Sequence, residues 1–438
     1  MAVSYSELMK AQAGVIVLLF AIGLQALPQE RFDPPEALER ARLLLSDIAQ
    51  TRNSPACLQT INRTYFRRVN ARDTRQTCDV ILGQKAKGLS KFELFAADRI
   101  RLQAGVTAAG EEVYSWPEEG SAPIADALQL VSGGPFSTGA LGPMVADVFH
   151  NPATEITFKG DRPHNGRNLY EYRYRVPVSA SHYTLNRGAF IAYDGTFLLA
   201  PVSGDPVQLT ARSSELPVMS NACEATVTID FAPAEEGTGF RPPSDHSMHF
   251  VLRDGSESEN RSSYSQCGTV EEKREAVAKP PLVAAPAGFV VTAALETAID
   301  TAAAAVGDLV TLRYVAEPDT KKTVHLKLPK ETKLHARIRG IERQFGKPNY
   351  FLLALELEWL EVEGGRSYLP ARLISAAPPE VVARGMAAIA RGNGSTDYKW
   401  LTAWQVHTRF DDFGKLSFES KNRDYVVPAG HVIRFVTK

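Results

Sequence analysis

Tyr-Glu-Tyr-Arg-Tyr-Arg-Val, residues 170–176, alternates large apolar side chains with charged ones. Successive side chains of a strand point to opposite faces, so this period of two predicts a strand with one buried and one wet face. Ile100–Val106 and Cys223–Phe231 repeat the pattern, with Cys223 among the apolar positions. Half-wet strands are typical of antiparallel sheets. The chain from Phe92 to Cys267 is therefore predicted to be mainly β.

Turn signals divide this region into hairpins. Asp194-Gly195 lies between two apolar runs and predicts a tight hairpin turn, because both residues tolerate positive φ. Ser203–Pro206 and Asp254-Gly255 predict two further turns. The sequence thus favours one large antiparallel sheet, strongly curved or barrel-like.

Three helices are expected to accompany the sheet. Asp33-Pro34-Pro35-Glu36 has the residues of a helix start, since Asp33 can cap the first turn and Pro34 is tolerated there. An apolar stripe at helical spacing follows over residues 38–48, which predicts an amphipathic helix that covers a sheet. Short helices are also expected near Pro123–Val131 and Pro143–Phe149.

A second β domain follows a linker. Residues 269–287 are first charged and then rich in Pro and Ala, a composition that builds no core. Lys333–Arg339 alternates again, with His335 on the wet face, and Leu353–Trp359 alternates with Trp359 on the apolar face.

The two ends of this second domain share a short motif. Pro286-Ala-Gly-Phe-Val290 precedes its first strand and Pro428-Ala-Gly-His-Val432 precedes its last, so the two terminal strands are expected to pair and close a barrel. A helical insertion is predicted at 376–402. The resulting domain prediction is 28–268 for the curved sheet, 269–287 for the linker and 288–438 for the smaller β-barrel-like domain. The fold class is mainly β (α+β).

The N-terminus carries the signal for the compartment. Ala13–Leu24 is an unbroken run of apolar or small residues, preceded by Lys10. About a dozen residues fit the apolar region of a signal peptide better than a membrane span, which needs about 20. Residues 1–27 are therefore predicted to be a signal peptide or an N-terminal anchor. The protein is expected in the periplasm or outer cell envelope, or anchored to the inner membrane through residues 13–27.

Four cysteines agree with export. An even, sparse set in an exported chain predicts two disulfides, and the set allows three connectivities. We favour Cys57–Cys78 and Cys223–Cys267, because each closes a loop within one region. The alternative is four buried free thiols. No pair has the C-x-x-C spacing of a zinc or redox site.

No catalytic template fits the sequence. The serine motif G-x-S-x-G is absent, and the spacing from Gly340 to Gly346 is wrong for a phosphate loop. His246 and His249 are three residues apart on an expected strand, which places them on opposite faces and argues against a shared metal. The formal net charge of −1 gives no electrostatic case for nucleic acid. We predict no enzyme activity, no cofactor and no metal.

An aromatic platform is the remaining candidate for ligand contact outside the sheet. Tyr398, Trp400 and Trp404 could stack on a ligand, although the i, i+4 spacing of the two tryptophans equally fits a helix packing face.

The hairpins of the first domain resemble a known family. Tyr193-Asp-Gly-Thr-Phe, Pro201–Val207 and Leu209–Arg212 look like consecutive hairpins of periplasmic lipoprotein-carrier proteins of the LolA/RseB type, over about residues 90–267. The resemblance implies an incomplete barrel whose apolar concave face, covered by helices, can hold a lipid or a lipidated partner. Tyr170, Tyr172 and Tyr174 are the candidate lining, with an ordinary core face as the alternative.

The second domain resembles another family. Ala305–Val310 and Leu328–Leu334, leading to Gly340, are similar to the β-barrel of TrbI-like conjugation-channel scaffolds, with Glu331 where that pattern prefers Gly. This implies a structural role and a protein partner.

Three functions follow as hypotheses. The first is a non-catalytic cell-envelope protein that binds a lipid or lipoprotein, touching the membrane only through its N-terminal segment. The second is an assembly module that docks an envelope protein partner through the C-terminal β domain. The third is an unrecognised envelope hydrolase, which would need a cleft joining carboxylates with His246 or His249.

Overall fold

The computed structural model describes residues 31–50, 55–69, 76–106, 112–118, 123–124, 130–131, 136, 143–185, 189–213, 216–217, 220–232, 243–269, 285–347, 349–363, 365–374 and 414–438. The helices are α1 (Pro34–Gln50), α2 (Cys78–Ala86) and α3 (Pro143–Val145), which continues into a π turn over Ala146–His150. The strands of the first half are β1 (Pro55–Arg68), β2 (Phe92–Val106), β3 (Glu112–Ser115), β4 (Glu155–His164), β5 (Arg167–Val176), β6 (Thr184–Leu185), β7 (Ala189–Phe190), β8 (Tyr193–Leu199), β9 (Pro206–Ser213), β10 (Ala222–Phe231), β11 (Pro243–Leu252) and β12 (Glu257–Thr269). Those of the second half are β13 (Val290–Leu295), β14 (Ile299–Asp300), β15 (Leu309–Tyr314), β16 (Lys333–Gln344), β17 (Asn349–Val362), β18 (Gly365–Leu373), β19 (Leu416–Ser420), β20 (Val426–Val427) and β21 (Val432–Thr437).

The first half forms a curved antiparallel sheet. Its strand order is β4-β5-β8-β9-β10-β11-β12-β1-β2-β3, and every neighbouring pair is antiparallel. One face of this sheet, which we call the inner face, is buried: over β5 and β8–β11 its side chains lie beneath α1 and the π turn, and on β1 and β2 its apolar side chains join the core of the barrel. The predicted curved sheet with covering helices is confirmed.

Helix α1 packs on the inner face for the reason expected from its sequence. The Asp33 carboxylate accepts a hydrogen bond of 2.8 Å from the Glu36 amide, so the helix begins with a capped first turn. Ala37, Ala41 and Leu45 lie one turn apart on one side of the helix and are buried against the sheet. Small residues at two of these positions let the helix backbone approach the strands closely.

The second half contains a closed six-stranded antiparallel barrel. Its order is β13-β15-β16-β17-β18-β21, and β21 returns to pair with β13. The closing strands are the two that follow the repeated Pro-Ala-Gly motif, as predicted. The motif glycines have φ of +90° at Gly288 and +81° at Gly430, a conformation that other residues rarely adopt.

The sheet and the barrel meet along strand β2. Its edge opposite β1 pairs in turn with β16, with the loop at Val306 and with β3. The Val306 amide donates to the Arg99 carbonyl and the Arg101 amide donates to the Val306 carbonyl, each at 2.8 Å. Because three partners share this edge of β2, its backbone groups are hydrogen-bonded on this side. Since one of the partners is the barrel strand β16, the barrel continues the sheet.

Two disulfides are present, but the favoured connectivity was wrong. Cys57 is bonded to Cys267 and Cys78 to Cys223. Sequence proximity favours bonds within one region, whereas the sheet order brings β12, late in the sequence, beside β1. The loops span 210 and 145 residues, and for such loops the chain-entropy model gives about 5 kcal/mol of stabilisation each.

Strand bulges move two predicted side chains to the other face. The register between β10 and β11 shifts between Ala222 and Glu224, so Cys223 packs against α2 on the outer face instead of joining Ala225 inside. A second shift, next to Trp359 on β17, places its ring against His335 on the outside of the barrel. The alternation of inward and outward side chains continues on either side of a bulge, but the set of positions that faces inward changes from odd to even, or the reverse, across it.

The assignment of His335 to the wet face predicts a solvated side chain, and this prediction was wrong. Its ring is stacked on Trp359 at 3.5 Å between ring centroids and bonds the Glu361 carboxylate at 3.0 Å. Burial beneath the indole lowers the pKa of His335.

Asp194-Gly195 is not a turn. Strand β8 runs through it from Tyr193 to Leu199, and a Cβ at Gly195 would lie 1.9 Å from the Thr210 carbonyl oxygen of β9. The glycine is needed for the close approach of two backbones rather than for positive φ. The turns at Ser203–Pro206 and Asp254-Gly255 are present and join β8 to β9 and β11 to β12.

Several predictions lie outside the described residues. These are the N-terminal segment 1–27, almost all of the linker 269–287, the helical insertion 376–402 with Tyr398, Trp400 and Trp404, and most of the helix near Pro123. The domain boundaries stay predictions. Within the described part of the chain, no helix has the length and apolarity that a membrane span requires.

Candidate functional site: the inner face of the curved sheet

The inner face has two chemically different regions. The aromatic region is formed by strands β5, β8, β9 and β10, and the polar region by β11, β12, β1 and β2. Both follow from the same alternation of side chains, and the difference between them lies in which residues occupy the inward positions.

Stacked rings fill the aromatic region. Tyr172 lies parallel to Phe197, with 4.9 Å between centroids, and Tyr174 makes an edge contact with Tyr193 at 6.2 Å. The candidate lining residues Tyr170, Tyr172 and Tyr174 share this face and are 6%, 2% and 1% exposed. The three side chains share one face, as their alternation predicts, and their role as a ligand lining stays a prediction.

Each candidate tyrosine also has a polar partner. The hydroxyl of Tyr170 donates to the Phe32 carbonyl at 2.7 Å and that of Tyr172 to the Pro34 carbonyl at 2.5 Å, both at the start of α1. Tyr174 donates to the Thr210 carbonyl at 2.8 Å. Burial raises the pKa values of Tyr172 and Tyr174, so both remain protonated donors. Tyr170 and Tyr172 thus hold the start of the helix on the sheet.

A buried carboxylate fixes the second cover. Asp147, in the π turn, is fully buried and accepts hydrogen bonds from the His182 amide at 2.8 Å and the Tyr193 hydroxyl at 3.1 Å. Its other oxygen lies 2.5 Å from the His182 ring nitrogen. All of these groups serve to position the cover, and no nucleophile lies among them.

A cavity opens at the edge of the aromatic region, between α1 and the turn that joins β8 to β9. Its volume is about 510 Å³, within the range of small-molecule sites. Its lining combines apolar side chains with charged ones: Phe32, Leu43, Leu44, Val202, Glu36, Glu39, Arg40, Ser203 and Asp205. Leu43 is 60% exposed, so a large apolar side chain stands open to solvent here.

The polar region buries an unusual set of side chains. The inward positions pair across the strands, so that His246 lies beside Ser262 and Met248 beside Asn260. Asn260 in turn lies beside Arg63. The inward polar residues, all buried, are Gln59, Arg63, His246, Ser258, Asn260 and Ser262. Burial of uncharged hydroxyl and amide groups costs free energy unless hydrogen bonds replace water.

Arg63 is the centre of this region. Its guanidinium is fully buried and lies 3.4 Å from the Asp98 carboxylate of β2. Glu342 of the barrel strand β16 is paired directly with Asp98 and is also buried. Burial raises the pKa of Asp98 to about 6 and that of Glu342 to about 7, because the charged form loses its hydration.

The H-x-x-H pair does not form a site. His246 faces inward, and burial lowers its pKa to about 4. His249 lies on the opposite face, where its ring bonds Glu257 at 2.8 Å and approaches the Lys85 amine at 3.3 Å. Across the described ranges, no three histidine, cysteine or acidic side chains are grouped as a metal ion would require.

Sequence reasoning missed the polar region. Arg63 occupies the inward position between Ile61 and Tyr65, so a charge in register with apolar neighbours was the available signal. The partner carboxylate on β16 is 244 positions further along the chain from Asp98. No local pattern could have placed them together.

No protein-family model and no curated protein matches the chain. Similar solved structures are a domain described as an outer membrane lipoprotein-sorting protein from Vibrio parahaemolyticus, a LolA superfamily protein from Nitrosomonas europaea and a DUF1329 family protein from Desulfovibrio piger. Their identities are 11%, 11% and 9%, and their TM-scores are 0.27, 0.25 and 0.28. They cover 56%, 54% and 55% of this chain and 96%, 93% and 95% of their own.

The lipoprotein-carrier resemblance drawn from the sequence has counterparts among these structures. At such identities and TM-scores the likeness shows neither a function nor a ligand. The similarity of the barrel to TrbI-like scaffolds stays a prediction.

Proposed function

We propose that the protein is a non-catalytic cell-envelope protein that binds the acyl chain of a lipid or of a lipidated protein at the edge of the aromatic region. The observation that carries this proposal is the cavity of about 510 Å³ between α1 and the β8–β9 turn, with the open side chain of Leu43 in its lining. The apolar side chains Phe32, Leu43, Leu44 and Val202 would contact the acyl chain, and the charged side chains of the lining would lie beside its polar end.

The two disulfides support an envelope location. All four cysteines are bonded in pairs, and such bonds persist in oxidising environments such as the periplasm. An envelope location also supplies lipids and lipidated proteins as available ligands.

The tyrosines give the site a way to enlarge. Two of them, Tyr170 and Tyr172, hold the first turn of α1 through backbone carbonyls, and the cavity lies along the same helix. We propose that a longer chain displaces part of α1 and then contacts the tyrosine stripe. In the closed form, the stripe is an ordinary core face.

The test is a binding titration with a fluorescent palmitoyl probe. Wild type should bind saturably, and Leu43→Asp should weaken binding by about tenfold or more, because burial of one leucine side chain is worth about 1.5–3 kcal/mol. Leu43 is exposed, so the substitution should leave folding intact.

Leu89→Asp is the matched control. Leu89 is 66% exposed and does not line the cavity, so its variant should bind like wild type. Absence of saturable binding to wild type, or equal losses in both variants, would contradict the proposal. A lipidated peptide and its unlipidated twin, used as competitors, distinguish a lipidated protein from a free lipid as ligand.

The assembly-module and hydrolase hypotheses gain no specific observation from the described residues, and they stay predictions from the sequence.

A further inference from the structure

The contact between the curved sheet and the barrel contains a short strand pairing with buried charges. Strand β2 pairs with β16 over three residues, from Ala96–Asp98 to Glu342–Gln344. The Phe345 amide extends the contact with a 2.8 Å hydrogen bond to the Phe95 carbonyl. Directly paired residues have Cβ atoms about 4.5–5.5 Å apart, so the Asp98 and Glu342 side chains are neighbours on one face.

The charges around this pair do not balance when both carboxyls are ionised. Groups that face the two carboxyls are Arg63 and Tyr65 from β1, Arg343 from β16 and Lys415 before β19. Of these cations only Arg63 is fully buried, and Arg343 is also bonded to Asp424 at 3.3 Å. Two buried carboxylates therefore share one buried cation.

The hydrogen bonding also favours a retained proton. Within the described residues, Asp98 Oδ1 and Glu342 Oε2 are buried and have no hydrogen-bond partner. Glu342 Oε1 accepts a hydrogen bond of 2.8 Å from Gln344. An ionised carboxylate with an unpartnered oxygen in a dry site is costly, whereas a protonated one carries no net charge.

We propose that the β2–β16 contact is a pH-dependent joint between the curved sheet and the barrel, closed while Asp98 and Glu342 retain a proton between them and loosened when both are ionised. The neighbouring contacts at Val306 and the Arg101–Asp308 ion pair keep the barrel attached when the joint loosens. Loosening is thus confined to the ends of β2 and β16 that meet here.

The direction of the pH effect follows from raised acid pKa values. A carboxyl with a higher pKa in the closed joint than in the open one favours closure at low pH, and this preference is lost as pH rises through the closed-state value. With pKa values of about 6 for Asp98 and about 7 for Glu342, the joint should be closed at pH 5.5 and loosened at pH 8.5.

Hydrogen exchange of the full-length protein, corrected for intrinsic rates, tests the joint directly. Protection of peptides covering residues 94–100 and 340–346 should fall about tenfold or more between pH 5.5 and pH 8.5. Peptides from β13 and β21, which close the barrel on its other side, should keep their protection. An equal loss in those peptides would mean general destabilisation and would overturn the proposal.

Glu342→Gln supplies the decisive variant. The amide has nearly the same shape and cannot ionise, so the joint should stay closed at pH 8.5, with protection within about twofold of its pH 5.5 value. Asp98→Asn should act in the same direction and provides a second variant in case the first folds poorly. Glu93→Gln, at an exposed ion pair of β2, should behave like wild type. A wild type without the pH effect, or a Glu342→Gln protein that retains it, would refute the joint.

Discussion

The aromatic and polar regions of the inner face are neighbours in one sheet, yet they bury polar groups in opposite ways. In the aromatic region the hydroxyls of Tyr170, Tyr172 and Tyr174 each donate to a backbone carbonyl, a partner that carries no charge and does not titrate. In the polar region Arg63 and Asp98 depend on each other and on Glu342 from the barrel. The hydrogen bonds of the tyrosine stripe are complete within the sheet and the helix that covers it. The cluster around Arg63, by contrast, is stable only when its positive and negative charges balance.

This difference assigns the two regions different tasks. Rings with hydrogen-bonded hydroxyls form a stable platform against which α1 packs and beside which the proposed apolar ligand would bind. A charge cluster that is complete only when the barrel is docked couples the barrel to the sheet. Substitutions in each region test whether the two contribute as differently to the free energy of unfolding as they differ in structure.

The largest effect is expected at Arg63. Arg63→Met keeps an apolar side chain about as long as the methylene part of arginine but removes the charge. Asp98 and Glu342 then lack their shared buried cation. Removing one partner of a buried ion pair costs about 3–5 kcal/mol. We expect a loss of that size in the free energy of unfolding at pH 8, measured by urea denaturation, and a smaller loss at pH 5.5, where the carboxyls are protonated.

Arg67→Met is the matched control, because Arg67 lies on the same strand in an exposed pair with Glu93. Its cost should be at most about 1 kcal/mol. Adding Glu342→Gln to Arg63→Met should recover part of the loss, since it removes one unpaired carboxylate. Equal costs for Arg63→Met and Arg67→Met would show that the polar region contains no significant charge coupling.

The sequence predicted the regular parts of the fold well. Period two located the strands around Tyr170–Val176 and Lys333–Arg339, and the Pro-Ala-Gly motifs identified the strands that close the barrel. Errors arose where one residue interrupts the period, as at Cys223 and Trp359, because a bulge depends on the partner strand. Gly195 was misassigned for a related reason, since a glycine allows both a turn and a close backbone approach.

The candidate site was only half predictable. The tyrosine stripe is contiguous in sequence, so its common face could be deduced from three alternate positions. The disulfide Cys57–Cys267 and the cluster of Arg63 with Asp98 and Glu342 join distant parts of the chain. Their assembly depends on strand order, which period and turn chemistry do not specify.

A second, intermediate effect is expected at His246. Burial of the ring lowers the pKa of His246 to about 4. Between about pH 6.5 and pH 4 the unfolded chain therefore binds a proton at this ring that the folded chain does not bind. Stability from this group is present above pH 6.5 and is lost as pH falls towards 4. By linkage, the loss between pH 7.5 and pH 5 is about 2 kcal/mol.

His246→Leu should therefore remove about that much of the acid-induced loss, as measured by urea denaturation at the two pH values. His249→Leu, on the opposite face and bonded to Glu257, should not remove it. If both variants reduce the acid-induced loss of stability equally, burial of His246 in the polar region is not the cause of that loss.

The smallest effect is expected in the aromatic region, at Tyr174. Tyr174→Phe retains the ring contacts with Phe197 and Tyr193 and deletes only the hydroxyl that donates to the Thr210 carbonyl. One neutral hydrogen bond contributes about 1 kcal/mol, so the free energy of unfolding should fall by about that amount and should do so equally at pH 5.5 and pH 8. Tyr368→Phe, at a half-exposed tyrosine of the barrel, should change it by less. A loss at Tyr174 as large as that at Arg63, or one that varies with pH, would mean that the tyrosine stripe also depends on buried charge, and the contrast between the stripe and the polar region would fail.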